Sequence, residues 1–157
     1  MSEAPKPEWW FYHLSRTTLE QAAAPLMSKC LEVGWRVLAV SPHADRRAVL
    51  DAVLWTYDDQ SFLPHGQKEA PGLDASRQPV LISAKADNVN GAAALFLMDG
   101  VKAPVDAPYT RCMMMFDDGD MDARGAAREA FKAAKDAGLV TRYFQQTGSG
   151  GWKEAGV

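Results

Sequence analysis

Two runs of acidic residues are the most direct candidates for metal chemistry in this chain. One lies near the middle of the sequence and the other just before a basic segment: Asp58 and Asp59, then Asp117, Asp118, Asp120 and Asp122. Carboxylate oxygens are the donors that Mg²⁺ and Ca²⁺ prefer in proteins. Such runs more often form a solvated turn and the first turn of a helix, where acidic side chains complement the helix dipole. We therefore predict no metal site.

The nucleophilic and imidazole side chains form no catalytic pattern. His13, His43 and His65 include no pair at helical spacing and no HExxH motif, and no serine lies in a GxSxG turn. Cys30 and Cys112 belong to no CxxC motif, which favours two reduced, separate thiols. The sequence predicts no catalytic residue.

Phosphate-binding glycines are missing as well. Neither GxGxxG nor GxxxxGK[ST] occurs, and the glycines at 148, 150 and 151 come late in the chain, in GSGGW. We interpret them as part of a flexible tail and predict no cofactor.

A group of bulky side chains lies in the first half of the chain, in LDAVLWTYDDQSFLPHG from Leu50 to Gly66. Its large side chains lie at a predicted helix exit and in the loop after it: Trp55, Phe62, Leu63, Pro64 and His65. Rigid aromatic side chains of this kind anchor protein interfaces. They can equally fold back into the core, and the residues alone leave both interpretations open.

A basic stripe lies on the last predicted helix, with an aromatic residue within it. Its cations are Arg124, Arg128, Lys132 and Lys135, Phe131 lies among them, and Met114 and Phe116 lie on the strand before. The simpler interpretation is a solvated helix face, and the residues alone favour it. The alternative is a pocket with an apolar floor and a cationic rim, suited to a peptide with an aromatic side chain and a carboxylate.

Strands and helices alternate along the chain. Apolar or β-prone runs predict six strands, over 8–14, 35–41, 79–84, 93–98, 110–116 and 139–145. Apolar residues at helical spacing predict helices over 17–33, 43–55 and 121–137, and Gly34 and Gly138 follow two of them as stops. This alternation predicts an α/β fold, a three-layer α/β/α sandwich with a mostly parallel sheet. The segment 58–78 interrupts it as a functional or mobile loop.

Composition limits the class of protein. The chain has 157 residues, is 47% hydrophobic and carries a net charge of −3. We expect one domain over 1–147 and a flexible tail over 148–157. The negative charge argues against a direct grip on phosphate backbones, so any link to DNA should be indirect. We find no signal peptide or membrane-spanning run and expect a cytoplasmic protein.

Several segments carry a family resemblance. They are FYHL at 11–14, the Leu50–Gly66 segment, the PVLIS strand, AREAFKAAKDAGL from Ala127 to Leu139, and Trp152. On these the chain resembles the chi subunit of bacterial DNA polymerase III holoenzyme, a component of the clamp-loader complex, over nearly its whole length.

The resemblance implies a non-catalytic adaptor with a nucleotide-binding type of fold that lacks a phosphate loop. It implies two partners: the psi subunit or an equivalent clamp-loader component, and the acidic C-terminal tail of single-stranded DNA-binding protein. Trp55 and Phe62 match the positions that the family uses around its psi or helicase-like partner. Arg128 matches its principal tail contact, with Arg124, Phe131 and Lys132 beside it and Met114 and Phe116 as floor residues. The alternatives are a nucleotide-binding α/β enzyme and a direct nucleic-acid-binding module.

Overall fold

The computed structural model describes residues 6–57, 64–68 and 70–155. Within them the structure has three α-helices: α1 (Leu19–Glu32), α2 (Ala44–Thr56) and α3 (Met121–Asp136), with a 3₁₀ turn at Ala75–Arg77. The strands of the described ranges are β1 (Glu8–Leu14), β2 (Val37–Val40), β3 (His65–Gln67), β4 (Val80–Ser83), β5 (Ala94–Leu97), β6 (Arg111–Asp117), β7 (Thr141–Gln146) and β8 (Trp152–Glu154).

All these strands belong to one sheet, in the order β3-β4-β2-β5-β6-β1-β7-β8. Every neighbouring pair is parallel except β7 and β8, which are antiparallel. Helices α1 and α2 pack on one face and α3 packs on the other. The predicted three-layer α/β sandwich with a mostly parallel sheet is confirmed.

The six predicted strands and three predicted helices are all present, with ends shifted by a few residues. Two short strands were not anticipated. Strand β3 falls in the segment predicted as a loop, and β8 falls in the residues assigned to a tail. Each has three residues, too few to show a period, so the partner strand rather than the local sequence decides the conformation. The domain boundary at residue 147 stays a prediction.

The helix ends follow local capping chemistry. Thr18 and Gln21 form a reciprocal capping box at the start of α1, and the Asp120 carboxylate accepts the Ala123 N–H at the start of α3. Gly34 and Gly138 have φ of 85° and 75° just after α1 and α3, a conformation that glycine adopts without steric cost. The predicted stops are therefore confirmed.

Strand β1 divides the core into two parts. Its neighbours in the sheet are β6 and β7, and its side chains alternate between the two faces. Trp10 and Tyr12 face the α1 side, whereas Trp9 and Phe11 face the α3 side, where the Trp9 indole N–H donates to the Val105 carbonyl at 3.0 Å. Both faces of the strand are therefore covered, as in other parallel sheets.

A single amide side chain holds the loop that follows β1. The backbone N–H groups of Ser15, Arg16 and Thr17 all donate to Gln146 Oε1, at 3.1, 2.8 and 3.1 Å. Gln146 Nε2 donates in turn to the Thr17 hydroxyl at 2.8 Å. In doubly wound nucleotide-binding proteins, the N–H groups of the loop after the first strand receive phosphate oxygens. Here those donors are already bonded within the chain.

Partly buried ion pairs connect the carboxyl ends of β2 and β5 to the helices. Arg46 on α2 donates through Nε and Nη2 to the Asp99 carboxylate, at 3.1 Å each, and through Nη1 to Glu20 on α1. The Ser41 hydroxyl donates to the same Asp99 carboxylate at 2.6 Å. Asp99 has a φ of 58°, uncommon outside glycine, and this network holds it there.

No helix among the described residues is both long and apolar enough to cross a membrane.

Stability should fall at alkaline pH because both thiols are buried. Burial raises the pKa of Cys30 to about 11 and that of Cys112 to about 12. An exposed thiol has a pKa of about 8.5. Above that pH the unfolded chain loses thiol protons that the folded chain retains, so the free energy of unfolding falls by up to about 1.4 kcal/mol per pH unit for each thiol.

Urea unfolding at intervals between pH 7 and pH 10 measures this effect. Cys112→Ala is the control, because removing one of the two titrating thiols should make the fall in stability with pH shallower, whatever the variant's stability at neutral pH. A pH slope that is the same in the variant and the parent would contradict the assignment.

Candidate functional site

A cavity of about 290 Å³ opens between α3 and the carboxyl-terminal ends of β6 and β7. We call it the Arg128 pocket. Its lining combines rings, two guanidinium groups and small side chains: Phe116, Arg124, Ala127, Arg128, Phe131, Tyr143, Gln145 and Ala155. The edge at the carboxyl ends of parallel strands is where open α/β sheets bind ligands.

The pocket has an aromatic floor and wall. The rings of Phe131 and Tyr143 meet edge to face, with centroids 6.2 Å apart, and Phe116 lies 6.2 Å from Tyr143. Phe11 on β1 supports Phe131 from beneath at 5.4 Å. Edge-to-face and tilted packing leaves part of each ring surface open to a further ring.

The rim of the pocket is cationic. Arg124 and Arg128 lie one turn apart on α3, and in the part of the chain that the structure describes neither guanidinium has a carboxylate at ion-pair distance. Arg124 Nη1 donates to the Asp118 carbonyl at 3.3 Å. Arg128 is exposed and makes no side-chain hydrogen bond to any described residue. Both arginines can therefore bind an anion that comes from outside.

A hydrogen-bonded histidine fixes the wall of the pocket. His13 Nδ1 lies 2.9 Å from the Tyr143 hydroxyl, and His13 Nε2 lies 2.6 Å from Asp118 Oδ1. Burial raises the pKa of Tyr143, while the charges of Arg124 and Arg128 act to lower it. Both guanidinium groups are thus within electrostatic reach of the phenol, which stays neutral near pH 7.

The structure brings together most of the residues predicted for a cationic pocket. Phe116, Arg124, Arg128 and Phe131 all line it. Lys132 is exposed one turn beyond Arg128, outside the lining.

Met114 does not floor this pocket, and that prediction is wrong. Only 2% of Met114 is exposed, and it lines a separate cavity of about 190 Å³ with Trp9 and Lys102. Met114 and Phe116 point to the same face of β6, but Met114 lies two residues farther from the strand's carboxyl end and so meets a different part of α3.

Sequence reasoning missed His13, Tyr143 and Gln145. The period of two in β7 does place Tyr143 and Gln145 on one face, which was an available signal. That β7 lies beside β1, and so carries Tyr143 to His13, follows only from the strand order.

Trp55 marks a second surface. The side chain lies near the end of α2 and is 58% exposed, so the alternative in which Trp55 folds into the core is wrong. Its ring meets the His65 imidazole edge to face, with centroids 5.1 Å apart. Tyr57, two residues after Trp55, is exposed, and so is Pro64, which directly precedes His65. Large exposed aromatic side chains of this type are common anchors of interfaces.

The buried His65 side chain supports this surface by packing against the Trp55 ring. It is the first residue of β3, so its predicted position in a loop is wrong, and its side chain is fully buried with Nε2 3.1 Å from Asp51 Oδ1. Two other predicted members, Phe62 and Leu63, lie outside the described residues, as do Asp58 and Asp59.

The second acidic run serves the start of α3. Asp117 Oδ1 accepts the Gly119 N–H at 2.9 Å, and Asp120 is the N-cap. Among the described residues, no three metal-binding side chains are grouped so that they could hold an ion. The Asp117 carboxylate thus stabilises the turn before α3, and the Asp120 carboxylate caps the helix.

Removing the Tyr143 hydroxyl should destabilise the fold without removing the ring. We expect Tyr143→Phe to lower the free energy of unfolding by about 1 kcal/mol, because His13 loses a partly buried hydrogen bond. Urea unfolding measures the change. Tyr57→Phe is the matched control, since the Tyr57 hydroxyl makes no hydrogen bond to any described residue. Equal midpoints for the two variants would contradict the proposed contact.

Comparison with known proteins assigns the family. Residues 7–142 match the sequence model of the family described as DNA polymerase III chi subunit, HolC. One similar curated protein is the probable DNA polymerase III subunit chi of Rickettsia prowazekii (strain Madrid E), 29% identical over 87 residues. That match covers 55% of this chain and 52% of the relative, so the chain spans about half the relative's length. Because the family match extends over most of its residues, the chain belongs to the DNA polymerase III chi subunit family.

Proposed function

We propose that this chain is a non-catalytic accessory subunit of the replicative polymerase, acting in the cytoplasm as a bridge. One surface would hold psi or an equivalent clamp-loader component. The other would hold the acidic C-terminal tail of single-stranded DNA-binding protein. The observation that carries the proposal is the Arg128 pocket, where two guanidinium groups without a carboxylate partner among the described residues lie over an apolar, ring-lined cavity.

The chemistry of the pocket fits a peptide that ends in an aromatic residue. The terminal ring would pack against Phe131, Phe116 and Tyr143, and the terminal carboxylate would receive the fork of Arg128. The acidic residues before it would lie near Arg124 and Lys132. A volume of about 290 Å³ is at the lower limit for ligand sites and suits one side chain.

Charge should make this contact weak at high salt. The chain carries −3 overall, but the rim of the pocket is locally positive, so the tail is attracted to this face in particular. Exposed charges are screened over about 8 Å at physiological ionic strength. Many tails on one coated DNA strand would compensate for a weak single contact by raising the effective concentration.

The Trp55 surface supports the second half of the bridge. Trp55 is on α2, which packs beside β3 and β4, whereas the Arg128 pocket lies on the opposite face near β7. The two surfaces therefore lie on opposite faces of the sheet and near opposite ends of the strand order. A psi-like partner could therefore pack on Trp55 and Pro64 while the tail occupies the pocket.

Two features disfavour the nucleotide-binding alternative. The N–H donors of the loop after β1 are bonded to Gln146, and the arginine at the β2 and β5 edge is bonded to Asp99 and Glu20. A triphosphate would have to displace these contacts. Calorimetry with ATP and GTP tests this alternative, and no heat is expected.

The direct nucleic-acid alternative has less support than the adaptor. Binding to the phosphate backbone of a nucleic acid requires several unpaired cations along one surface. The net charge of this chain is negative, which disfavours such binding. The cations that do lie together are confined to one stretch of α3: Arg124 and Arg128 line a single cavity, and Lys132 lies just outside it. Any contact with DNA is therefore proposed to be indirect.

Arg128→Ala should weaken tail binding. Loss of a charge-assisted contact predicts a reduction in affinity of about 1.5 to 3 kcal/mol, or roughly 10- to 150-fold, in titration calorimetry with a synthetic tail peptide. The affinity of Arg128→Lys for the peptide should fall between those of the parent chain and Arg128→Ala, because lysine retains the charge but lacks the planar guanidinium fork. Arg77→Ala removes one exposed cation far from the pocket and should have little effect.

Trp55→Ala separates the two surfaces. This variant should bind the tail peptide like the parent chain and lose retention on immobilised psi, whereas Arg128→Ala should do the reverse. An unchanged peptide titration for Arg128→Ala would refute the tail assignment. Loss of both partners in either variant would refute the division into two surfaces.

A further inference from the structure

On the opposite face of the sheet, one arginine lies between aromatic rings without an acidic partner among the described residues. Arg111 is the first residue of β6. Its guanidinium carbon lies 3.6 Å from the ring centre of Trp10 and 5.0 Å from that of Trp35. Stacking of this kind occupies the flat faces of a guanidinium and leaves its N–H edge directed elsewhere.

That edge finds no acceptor within the described chain. Arg111 Nε is buried without a hydrogen-bond partner, and no described carboxylate lies at ion-pair distance from the side chain. Three other arginines show the usual pairing: Arg46 is bonded to Asp99 and Glu20, Arg142 bidentately to Glu154, and Arg36 to two carbonyls. A buried charged donor without an acceptor is rare and calls for an explanation such as an ion or a ligand.

The acidic side chain opposite Arg111 in the sheet, that of Glu8, is engaged elsewhere. Glu8 is the register partner of Arg111 across β1 and β6, but its Oε1 accepts the Trp10 indole N–H at 3.1 Å. The proximity of Glu8 moderates the positive charge of the site without satisfying the guanidinium.

Arg111 lines a cavity of about 290 Å³ beneath the end of α1. We call it the Arg111 pocket. The rest of its lining is aromatic or aliphatic apart from a single lysine and a thiol: Trp10, Tyr12, Leu26, Lys29, Cys30, Val33, Trp35 and Met113. No carboxylate is among them. Burial raises the pKa of Cys30 to about 11, so this thiol is neutral near pH 7. The lining thus offers two cations, neutral donors and large apolar surfaces.

We propose that the Arg111 pocket binds a carboxylate carried on an apolar group. The carboxylate receives the free N–H edge of Arg111, with Lys29 at the mouth, and the apolar group packs against Trp35, Leu26 and Val33. The site is separate from the Arg128 pocket, because Trp10 and Tyr12 face the α1 side of β1.

The charges favour a carboxylate over a nucleotide. Arg111 and Lys29 are the cations of the described lining, and neither has a carboxylate at ion-pair distance among the described residues, whereas the nearby Arg142 is paired with Glu154. A chain of phosphates extending along the sheet would meet Glu8 and Glu154. One planar anion matches the guanidinium fork and the small volume of the cavity.

Titration followed by ¹H–¹⁵N spectra tests the site on the full chain. The reporters are the indole N–H signals of Trp10 and Trp35 and the Nε–H signal of Arg111. Phenylacetate represents a free acid, and an acetylated dipeptide ending in phenylalanine represents a peptide terminus. Phenylacetamide and the amidated dipeptide are their uncharged controls. We expect saturable shifts with the acids and affinities at least about tenfold weaker with the amides. The acid that binds more tightly identifies the source of the carboxylate.

Variants distinguish this site from the Arg128 pocket. Arg111→Gln should weaken binding at these reporters at least about tenfold, and Glu8→Gln should strengthen it by removing a nearby negative charge. Arg128→Ala is the control, because Arg128 lies on the other face of the sheet and its loss should leave these shifts unchanged.

Absence of saturable shifts at the Arg111 reporters, or equal binding of acid and amide, would overturn the proposal. Should Arg111→Gln fail to fold, the comparison of acids with amides and the Glu8→Gln variant still decide. The outcome is independent of the proposed tail contact, which involves different residues and the other face of the sheet.

Discussion

The position of β1 between β6 and β7 is the constraint on which both pockets depend. Because both pairings are parallel and in fixed register, alternate side chains of this one strand support opposite faces of the sheet. Phe11 and His13 lie beneath the Arg128 pocket, and Trp10 and Tyr12 line the Arg111 pocket. A shift of register by one residue would exchange the two sets and remove both sites.

The edge of the sheet where nucleotides bind in related architectures is closed here by the chain's own side chains. Gln146 takes three backbone N–H groups of the loop after β1, and Arg46 is held by Asp99 and Glu20 at the neighbouring edge. Anion-binding capacity remains at the same carboxyl edge of the sheet, but on the opposite face, where Arg124 and Arg128 of α3 rim the Arg128 pocket. A fold common among nucleotide-binding proteins therefore has room for a different site here, the ring-lined cationic pocket for which we propose a peptide ligand.

The architecture was predictable because each long element carries its own periodic signal. In elements such as Val37–Val40 and α1, the local conformational preference and the burial of apolar residues favour the same structure, so the sequence pattern alone predicts it. The short strand at Trp152 was not predictable, since its pairing with β7 decides it. The site divides in the same way. Arg128 and Phe131 could be found because they lie on one helix, whereas Tyr143 reaches them only through the order of the strands. Met114 was assigned to the wrong cavity, because the alternation of side chains along β6 does not show where α3 packs on the strand.

Our central claim is that the chain joins two partners through separate surfaces. The most direct test is calorimetric titration of the tail peptide into the chain, alone and saturated with psi. The account predicts that the dissociation constant of the peptide changes by less than about twofold, because Trp55 and Arg128 lie on opposite faces and near opposite ends of the sheet. Displacement of the peptide by psi, or weakening by more than about fivefold, would contradict it.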